Sequence, residues 1–332
     1  MTSVVAPPTD ATLERAATLL RAGKLVAFPT ETVYGLGADA RNDDAVRAIF
    51  TAKGRPADHP VIVHLADGAQ MGAWARDVPA GARALAAAFW PGPLTLILPR
   101  ANGVADVVTG GQESVGLRVP SHPVAQRLLQ AFRAKGGDGI AGPSANRFGR
   151  ISPTTAAHVA DDLGADVAMI IDGGECTVGI ESTIIAFRDN DAVLLRPGGI
   201  AVADIARVLG RAPRVADGDA PRASGTLASH YAPRTPARLL AADLLAREAL
   251  QAGANAAVLA RTVPRPPGFA GQWRVAPMAP DAFAHDLYAS LRALDAAGAA
   301  SILIEDVPAD AAWLAVRDRI TRAAHGEDDD RD

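Results

Sequence analysis

The sequence predicts two α/β domains in tandem, the larger built on a mixed sheet, and three observations carry that prediction. A chain of 332 residues is about twice the usual domain length. Short apolar runs alternate with amphipathic helical patterns along most of it, as in a sheet flanked by helices. Several runs are parted only by short turns, so some neighbouring strands must be antiparallel.

The elements follow in order. A first helix is signalled by Thr9 or Asp10 as N-cap, by Leu13, Ala17 and Leu20 on one face, and by Gly23 as the stop. The strand KLVAF follows, then the apolar runs 61–65, 94–98, 115–119, 167–171, 182–187 and 192–196, with helical patterns at 43–52, 81–89, 122–134, 154–162 and 202–209. This first domain is expected to span residues 1–210. Residues 211–236 are rich in Pro, Ala, Ser, Gly and Arg without periodicity, which is the composition of a linker. Beyond it, ARLL, AAVLA (256–260), WRV (273–275) and SILIE (301–305) alternate with helical patterns at 242–252, 281–296 and 309–324, which predicts a small α/β domain over 237–325. The acidic residues 326–332 read as a disordered tail.

Composition excludes several classes. Hydrophobic residues make up 49% and charged residues 21%, enough apolar material for packed cores. A net charge of −4 argues against a general polyanion binder, so any phosphate must be met by a local cluster. With one cysteine, Cys176, the chain has no internal disulfide and no cysteine-rich zinc site, which fits a reducing compartment. No basic leader precedes an apolar stretch, and no run approaches the ~18 apolar residues of a membrane span. The expected location is the cytoplasm, away from membranes.

Stock nucleotide motifs are missing or out of context. There is no G-x-x-x-x-G-K-[ST], and Gly137, Gly139 and Gly142 form a G-x-G-x-x-G that follows a helical pattern and runs into Pro143, unlike a dinucleotide fingerprint. Other stretches are more informative. PTETVYGLG (29–37) follows a buried strand and places Thr30, Glu31, Thr32 and Tyr34 at a strand end, where α/β proteins bind ligands; an ordinary strand connection with a capping threonine fits the same residues. In TAKGRPADHPVIVHL, Lys53 and Arg55 flank Gly54, with His59 and His64 beyond. Two such cations suit a triphosphate, and they equally suit the C-terminus of their own helix. Both readings stay open on the residues alone. In GIAGPSANRFGRISPT, Ser144 and Asn146 face one side of an extended chain, while Ser152 and Thr154 precede a helix from about Pro153, whose N-terminus suits either a phosphate or simple capping. Arg118, Ser182, Thr183 and Arg196 are polar groups in or beside apolar strands, positions that call for a partner or a ligand.

In this order and spacing, PTETVYGLG, KGRP, GLRVP, PSAN, SPT, GIEST and LLRPGG resemble the YrdC-like threonylcarbamoyl-AMP synthase family over residues 10–210. SGTLASHYAP in the linker and the small final domain are similar to the family's long, two-domain form. The resemblance implies a YrdC-like twisted mixed sheet with flanking helices and a small Rossmann-like C-terminal α/β domain. It implies a nucleotidyltransferase that makes L-threonylcarbamoyladenylate and pyrophosphate from L-threonine, bicarbonate or CO2, and ATP with Mg2+, for t6A at tRNA position 37. A downstream threonylcarbamoyl-transferase machinery would take the product to tRNA, with at most a weak tRNA contact by this chain and no tightly bound cofactor.

Carried over by motif, Lys53 and Arg55 match the family's KxR and Ser144 and Asn146 its SxN, with Lys53 and Arg55 in the catalytic role. The same resemblance implies an L-threonine pocket of Thr32, His64, Arg118, Ser144 and Ser182. Its implied ATP contacts are Lys53, Arg55, His59, Ser114, Asn146, Thr154, Arg196 and Tyr231, the last making the linker a lid. His59 departs from the family's usual Asn. No dedicated metal cage is expected. His64 is a general-base candidate only through nearness to the threonine amine, and a positioning hydrogen bond is the preferred role. Lys53 and Arg55 are expected to be solvent-exposed, so that alanine there leaves the fold intact. The rivals are a non-catalytic module for tRNA or double-stranded RNA, against which the acidic net charge counts, and the carbamoyl-transferring domain of hydrogenase maturation proteins, whose cysteine-rich zinc modules a single cysteine does not supply.

Overall fold

The computed structural model describes residues 4–216, 220–225 and 230–325. The acidic tail at 326–332 and residues 226–229 of the SGTLASHYAP stretch lie outside them. The chain divides into two compact units. The first comprises residues 1–148, 153–177 and 181–226, and the second 149–152, 178–180 and 227–332. The second unit thus takes two short loops from within the first unit's sequence, a feature that no local pattern announces.

In the first unit the strands are β1 (Val4–Ala6), β2 (Val26–Phe28), β3 (Gly35–Asp39), β4 (Ile62–His64), β5 (Leu94–Pro99), β6 (Ser114–Arg118), β7 (Ile140–Ala141), β8 (Met169–Ile171), β9 (Thr183–Arg188), β10 (Asp191–Arg196) and β11 (Arg214–Val215). They form one sheet in the order β1-β8-β2-β3-β7-β4-β6-β5-β9-β10-β11. The sheet is mixed: β2 with β3, β5 with β6 and β9 with β10 are antiparallel, while β4 with β6 and β5 with β9 are parallel. Four strands escaped the hydrophobic pattern. β1 is at the sheet's edge with Val4 and Val5 exposed, β7 and β11 have two residues each, and β3 is the glycine-rich GLGAD.

The helices of this unit are α1 (Asp10–Arg21), α2 (Asp43–Lys53), α3 (Met71–Trp74), α4 (Ala80–Phe89), α5 (Asp106–Thr109), α6 (Pro123–Ala134), α7 (Ala156–Leu163) and α8 (Val202–Leu209). Their ends follow capping chemistry. Thr9 accepts from Thr12 N at 3.2 Å before α1, and Asn42 accepts from Asp44 N and Ala45 N at 3.1 Å before α2. α1 and α6 pack Leu13, Leu20, Leu128 and Phe132 with Val26, Phe28 and Ile140 in one buried cluster. α2, α4, α7 and α8 contribute Ile49, Leu85, Val159 and Ile205 to another, with Leu36, Leu96 and Leu117 of the sheet. The sheet is therefore covered on both faces, and each fully buried Leu or Phe contributes about 1.5–3 kcal/mol.

The second unit is parallel throughout, with β12 (Ala237–Leu240), β13 (Ala256–Ala260), β14 (Gln272–Val275) and β15 (Ser301–Glu305) in the order β12-β15-β13-β14. α9 (Ala242–Ala252), α10 (Pro280–Asp295) and α11 (Leu314–Ala324) flank it. Glu305, at the carboxyl end of β15, accepts from the backbone N–H groups of Arg261, Thr262 and Val263 at 2.6, 2.9 and 3.1 Å and so fixes the turn after β13.

Candidate active site

The site grows from five stretches of the first unit. After β2 the chain makes a tight turn controlled by one hydroxyl. Thr30 donates to Val33 O at 2.6 Å and accepts from Thr32 N and Val33 N at 3.2 Å, an ST-turn that presents Glu31 and Thr32 at its tip. The Thr30 and Thr32 hydroxyls are 2.8 Å apart. Because the Thr30 proton is committed to Val33 O, Thr32 is the donor in that pair, and its own lone pairs remain available to accept from a ligand N–H or O–H. Tyr34 locks the turn from behind, with Tyr34 N donating to Pro153 O at 2.9 Å and its hydroxyl to Gly174 O at 2.7 Å. Burial pushes that phenol well above its usual range.

Glu31 is the residue that the carried-over pocket omitted. Its Oε1 accepts from Arg118 Nη2 at 2.7 Å and its Oε2 from Ser121 N at 3.0 Å. Both side chains of the pair are almost wholly buried, 5% exposed for Arg118 and 6% for Glu31. Arg118 Nε is buried and has no hydrogen-bond partner. A carboxylate that pins one end of a guanidinium while leaving Nε unsatisfied prepares an anion site, since a buried orphan donor costs about 1–3 kcal/mol until a ligand meets it. The signal for Glu31 was its place beside Thr32 in the turn.

Parallel pairing of β4 with β6 sets His64 opposite Arg118. His64 Nδ1 is likewise buried without a partner. Burial, with Arg118 adding to it, lowers the imidazole to about 3. The ring is therefore neutral at physiological pH, and as a base it falls about five units short of an α-amine. Positioning by hydrogen bond is the role this environment supports. Gly142 makes the close approach possible, because a Cβ there would stand 2.9 Å from His64 Nδ1. Ser114, Gly116 and Arg118 alternate along β6 onto one face, so the first and last of them are about 13 Å apart, far enough for two substrates to share that face.

Lys53 corrects an expectation. Its side chain is buried, because α2 ends at Gly54 in the left-handed conformation (φ 64°) and the chain turns away there. Arg55 N reaches back to Phe50 O at 3.0 Å, closing a Schellman-type end. The Lys53 amine donates to Ser144 O at 2.6 Å and to Asn146 O at 2.7 Å, while Phe148 N donates to Lys53 O at 2.9 Å. Lys53 thus straps the Ser144–Asn146 loop to the end of α2. Burial first, and then Arg55, pull the amine well below its ordinary range. The strap survives either charge state, since even a neutral amine keeps two N–H groups. Arg55 is buried as well, so the surface-cation argument for harmless alanine substitutions fails at both positions.

The remaining sequence-marked groups are distributed as follows. Ser144 bridges to Gly35 of β3, and buried Asn146 donates from Nδ2 to Arg147 O at 2.7 Å. Arg55 Nη2 donates to Pro60 O at 2.8 Å and to Ser224 Oγ at 3.3 Å. Its charge, after burial, lowers half-buried His59, whose ring meets Phe148 edge-on at 5.4 Å. Arg196 Nη1 donates to Ser224 O at 2.7 Å, and its Nε and Nη2 to Ser182 O at 3.2 and 3.0 Å. One linker residue, Ser224, therefore engages both arginines expected at the nucleotide. Thr154 is buried with its hydroxyl 3.4 Å from His158 Nδ1. α7 begins at Ala156 with Thr155 as N-cap, so the helix N-terminus lies beyond Pro153, where the pattern had put it. Tyr231 belongs to the second unit and is buried there, its ring 4.2 Å from that of His230 and 5.7 Å from that of Tyr288, with the Arg319 guanidinium 5.2 Å away. Among the described residues no group of three or more His, Cys, Asp or Glu side chains gathers to hold a metal ion, and no helix is long and apolar enough to cross a membrane.

This arrangement joins a pinned anion site, a neutral imidazole and a lysine-strapped loop to two arginines. Two family models cover the chain: Sua5/YciO/YrdC, described as telomere recombination, over residues 18–198, and the threonylcarbamoyl-AMP synthase C-terminal domain over 200–325. A Bacillus subtilis threonylcarbamoyl-AMP synthase is 40% identical over 334 aligned positions, covering 96% of this chain and 94% of the relative.

The chain belongs to the Sua5/YrdC threonylcarbamoyl-AMP synthase family.

Within that family, the Pyrococcus abyssi threonylcarbamoyl-AMP synthase is 48% identical over 223 residues, 66% of this chain and 64% of the relative. The crystal structure of P. abyssi Sua5 complexed with L-threonine matches with a TM-score of 0.86 at 38% identity, covering 95% of each chain. A double-alanine variant of P. abyssi Sua5 matches with a TM-score of 0.88 at 36% identity, covering 98% of this chain and 96% of the other. The long form of the family, with its large mixed sheet and separate parallel sheet, is the architecture of this chain.

Proposed function

We propose that the chain forms L-threonylcarbamoyladenylate and pyrophosphate from L-threonine, bicarbonate and ATP, the activated intermediate for t6A in tRNA. The observation that carries this reading is Arg118, pinned by Glu31 at 2.7 Å and holding a buried, unpartnered Nε, beside a neutral imidazole and within a family whose P. abyssi member was crystallised with L-threonine.

The Arg118 guanidinium takes the threonine carboxylate by a charge-assisted bond. Thr32, as an acceptor, and the neutral His64 orient the amine. The amine lone pair attacks the carbon of CO2, with its N–H proton released to solvent, or that of bicarbonate with loss of water, to give a carbamate. A carbamate oxygen then attacks the α-phosphorus of ATP and the bond to pyrophosphate breaks. No covalent enzyme intermediate is required. Magnesium enters with ATP as part of that substrate. Arg55 and Arg196 neutralise the phosphates, with His59, Ser114, Asn146 and Thr154 as the further nucleotide contacts, and Lys53 acts by holding the Ser144–Asn146 loop in place. Ser224 engages both arginines, so residues 220–225 are the part of the linker that would serve as the lid over the triphosphate.

Incubating the protein with MgATP and bicarbonate, with and without L-threonine, tests the reading. The expected result is threonine-dependent adenylate and pyrophosphate. If no product depends on threonine, while nucleotide-free RNA binds with steep salt dependence, the chain is an RNA-binding module instead.

A further inference from the structure

A second hydroxyl, which no motif marks, lies behind Ser182. Thr95 occupies the apolar strand β5 in LTLIL and is completely buried. Its Oγ1 is 2.8 Å from Ser182 Oγ. Arg196 Nη2 approaches the same Ser182 oxygen at 3.2 Å. A guanidinium only donates, so Ser182 Oγ accepts from Arg196. Two arrangements remain for the hydroxyl pair. If Ser182 donated to Thr95, the Thr95 proton would have no acceptor among the described residues and would be buried without one. If Thr95 donates to Ser182, the proton left over is the one on Ser182, the hydroxyl of the pair that belongs to the proposed substrate pocket and can give it to a ligand. The serine oxygen then accepts twice, and its own proton is free for a ligand.

We infer that Thr95 is a positioning residue that donates to Ser182 and thereby fixes the Ser182 hydroxyl as a hydrogen-bond donor to an oxyanion of the bound substrates. The inference rests on the proposed function for Ser182 facing those substrates, which gives the Ser182 proton its acceptor. Polarisation by two incoming donors also strengthens the bond that Ser182 gives. Thr30 performs the opposite service at Thr32, which it turns into an acceptor. The pocket thus offers an accepting hydroxyl to the amine and a donating one to an oxyanion. That oxyanion belongs either to the threonine carboxylate or to the carbon supplied by bicarbonate.

The test uses the full chain with Thr95→Val and Thr95→Ser. Melting temperature reports the fold, calorimetry without ATP gives the L-threonine Kd, and pyrophosphate release gives KM for threonine and bicarbonate. Thr95→Val is expected to weaken one substrate about tenfold, equivalent to about 1.4 kcal/mol. The calorimetric threonine Kd rises if Ser182 meets the carboxylate, and the bicarbonate KM rises if it meets the carbonate-derived oxygen. Thr95→Ser should stay within twofold of wild type, and Thr95→Val should add less than twofold to Ser182→Ala. Should Thr95→Val melt well below wild type, Thr95→Ala removes the hydroxyl without adding a methyl against Ser182. Constants unchanged in the hydroxyl-free variant, a Thr95→Ser as weak as Thr95→Val, or full additivity with Ser182→Ala each overturn the inference. Absence of threonine-dependent pyrophosphate from the wild type would instead overturn the proposed function, and the calorimetric arm would still decide the role of Thr95.

Discussion

Replacing Lys53 with methionine isolates the strap from the phosphate role that sequence suggests. Methionine keeps most of the buried aliphatic length and removes the two bonds to Ser144 O and Asn146 O at 2.6 and 2.7 Å. Each bond is worth about 1 kcal/mol net, and each carbonyl left unsatisfied costs about 1–3 kcal/mol more. Relief of the amine's own desolvation, visible in its depressed basicity, offsets part of this. A net loss of about 2–4 kcal/mol follows, or roughly 5–15 °C in the melting transition of a unit this size. Urea unfolding of wild type and Lys53→Met measures the loss, and hydrogen exchange at residues 144–148 should show the loop opening. If the variant is inactive yet as stable as wild type within about 0.5 kcal/mol, with the loop still protected, Lys53 serves the phosphates directly and the strap argument is wrong.

Three further outcomes are expected. Glu31→Gln, which removes the charge holding Arg118, should raise the threonine KM by about 10–100-fold with a smaller effect on the ATP KM, since breaking a buried ion pair costs about 3–5 kcal/mol less whatever the neutral amide restores; an unchanged threonine KM would refute Glu31's role. The His64 value near 3 lies below the unfolded value of about 6.5, so the unfolded chain binds the extra proton and stability falls as pH drops through this window. Between pH 6 and 4 the difference between wild type and His64→Gln should change by about 1.4 kcal/mol per unit, and a pH-independent difference in urea midpoints would contradict it. In the second unit, Glu305→Ala frees the N–H groups of Arg261, Thr262 and Val263 and should destabilise that unit by about 2–4 kcal/mol; unaltered thermal unfolding would count against the turn-fixing role.

Much of the fold was legible because apolar periodicity reports burial directly. Both strands and helices of the second unit followed their patterns, as did α1 with its Thr9 cap. β3 was hidden because GLGAD packs by absence of side chains: a Cβ on Gly37 would stand 2.9 Å from Val26 O. β7 and β11 are too short to show a period. At the site, motif spacing singled out Lys53, Arg55, Arg118, Ser144, Asn146, Ser182 and Arg196, but it gave no sense of what each side chain touches. Thr95 was invisible, because a threonine in LTLIL is an ordinary strand residue until Ser182 is folded against it.

The sequence by itself determined the α/β class, the family and the identity of the polar groups that interrupt apolar strands, since an arginine or carboxylate in such a place needs a partner. Only the tertiary structure decided which partner. Glu31 and Arg118 are 87 positions apart in the chain, and Lys53 is separated from Ser144 by 91. Hydrogen-bond direction, burial and basicity are properties of those assembled neighbours. Lys53, expected to be exposed, is therefore a buried group that straps the Ser144–Asn146 loop, and the surroundings of His64 favour the positioning role preferred for it over that of a general base.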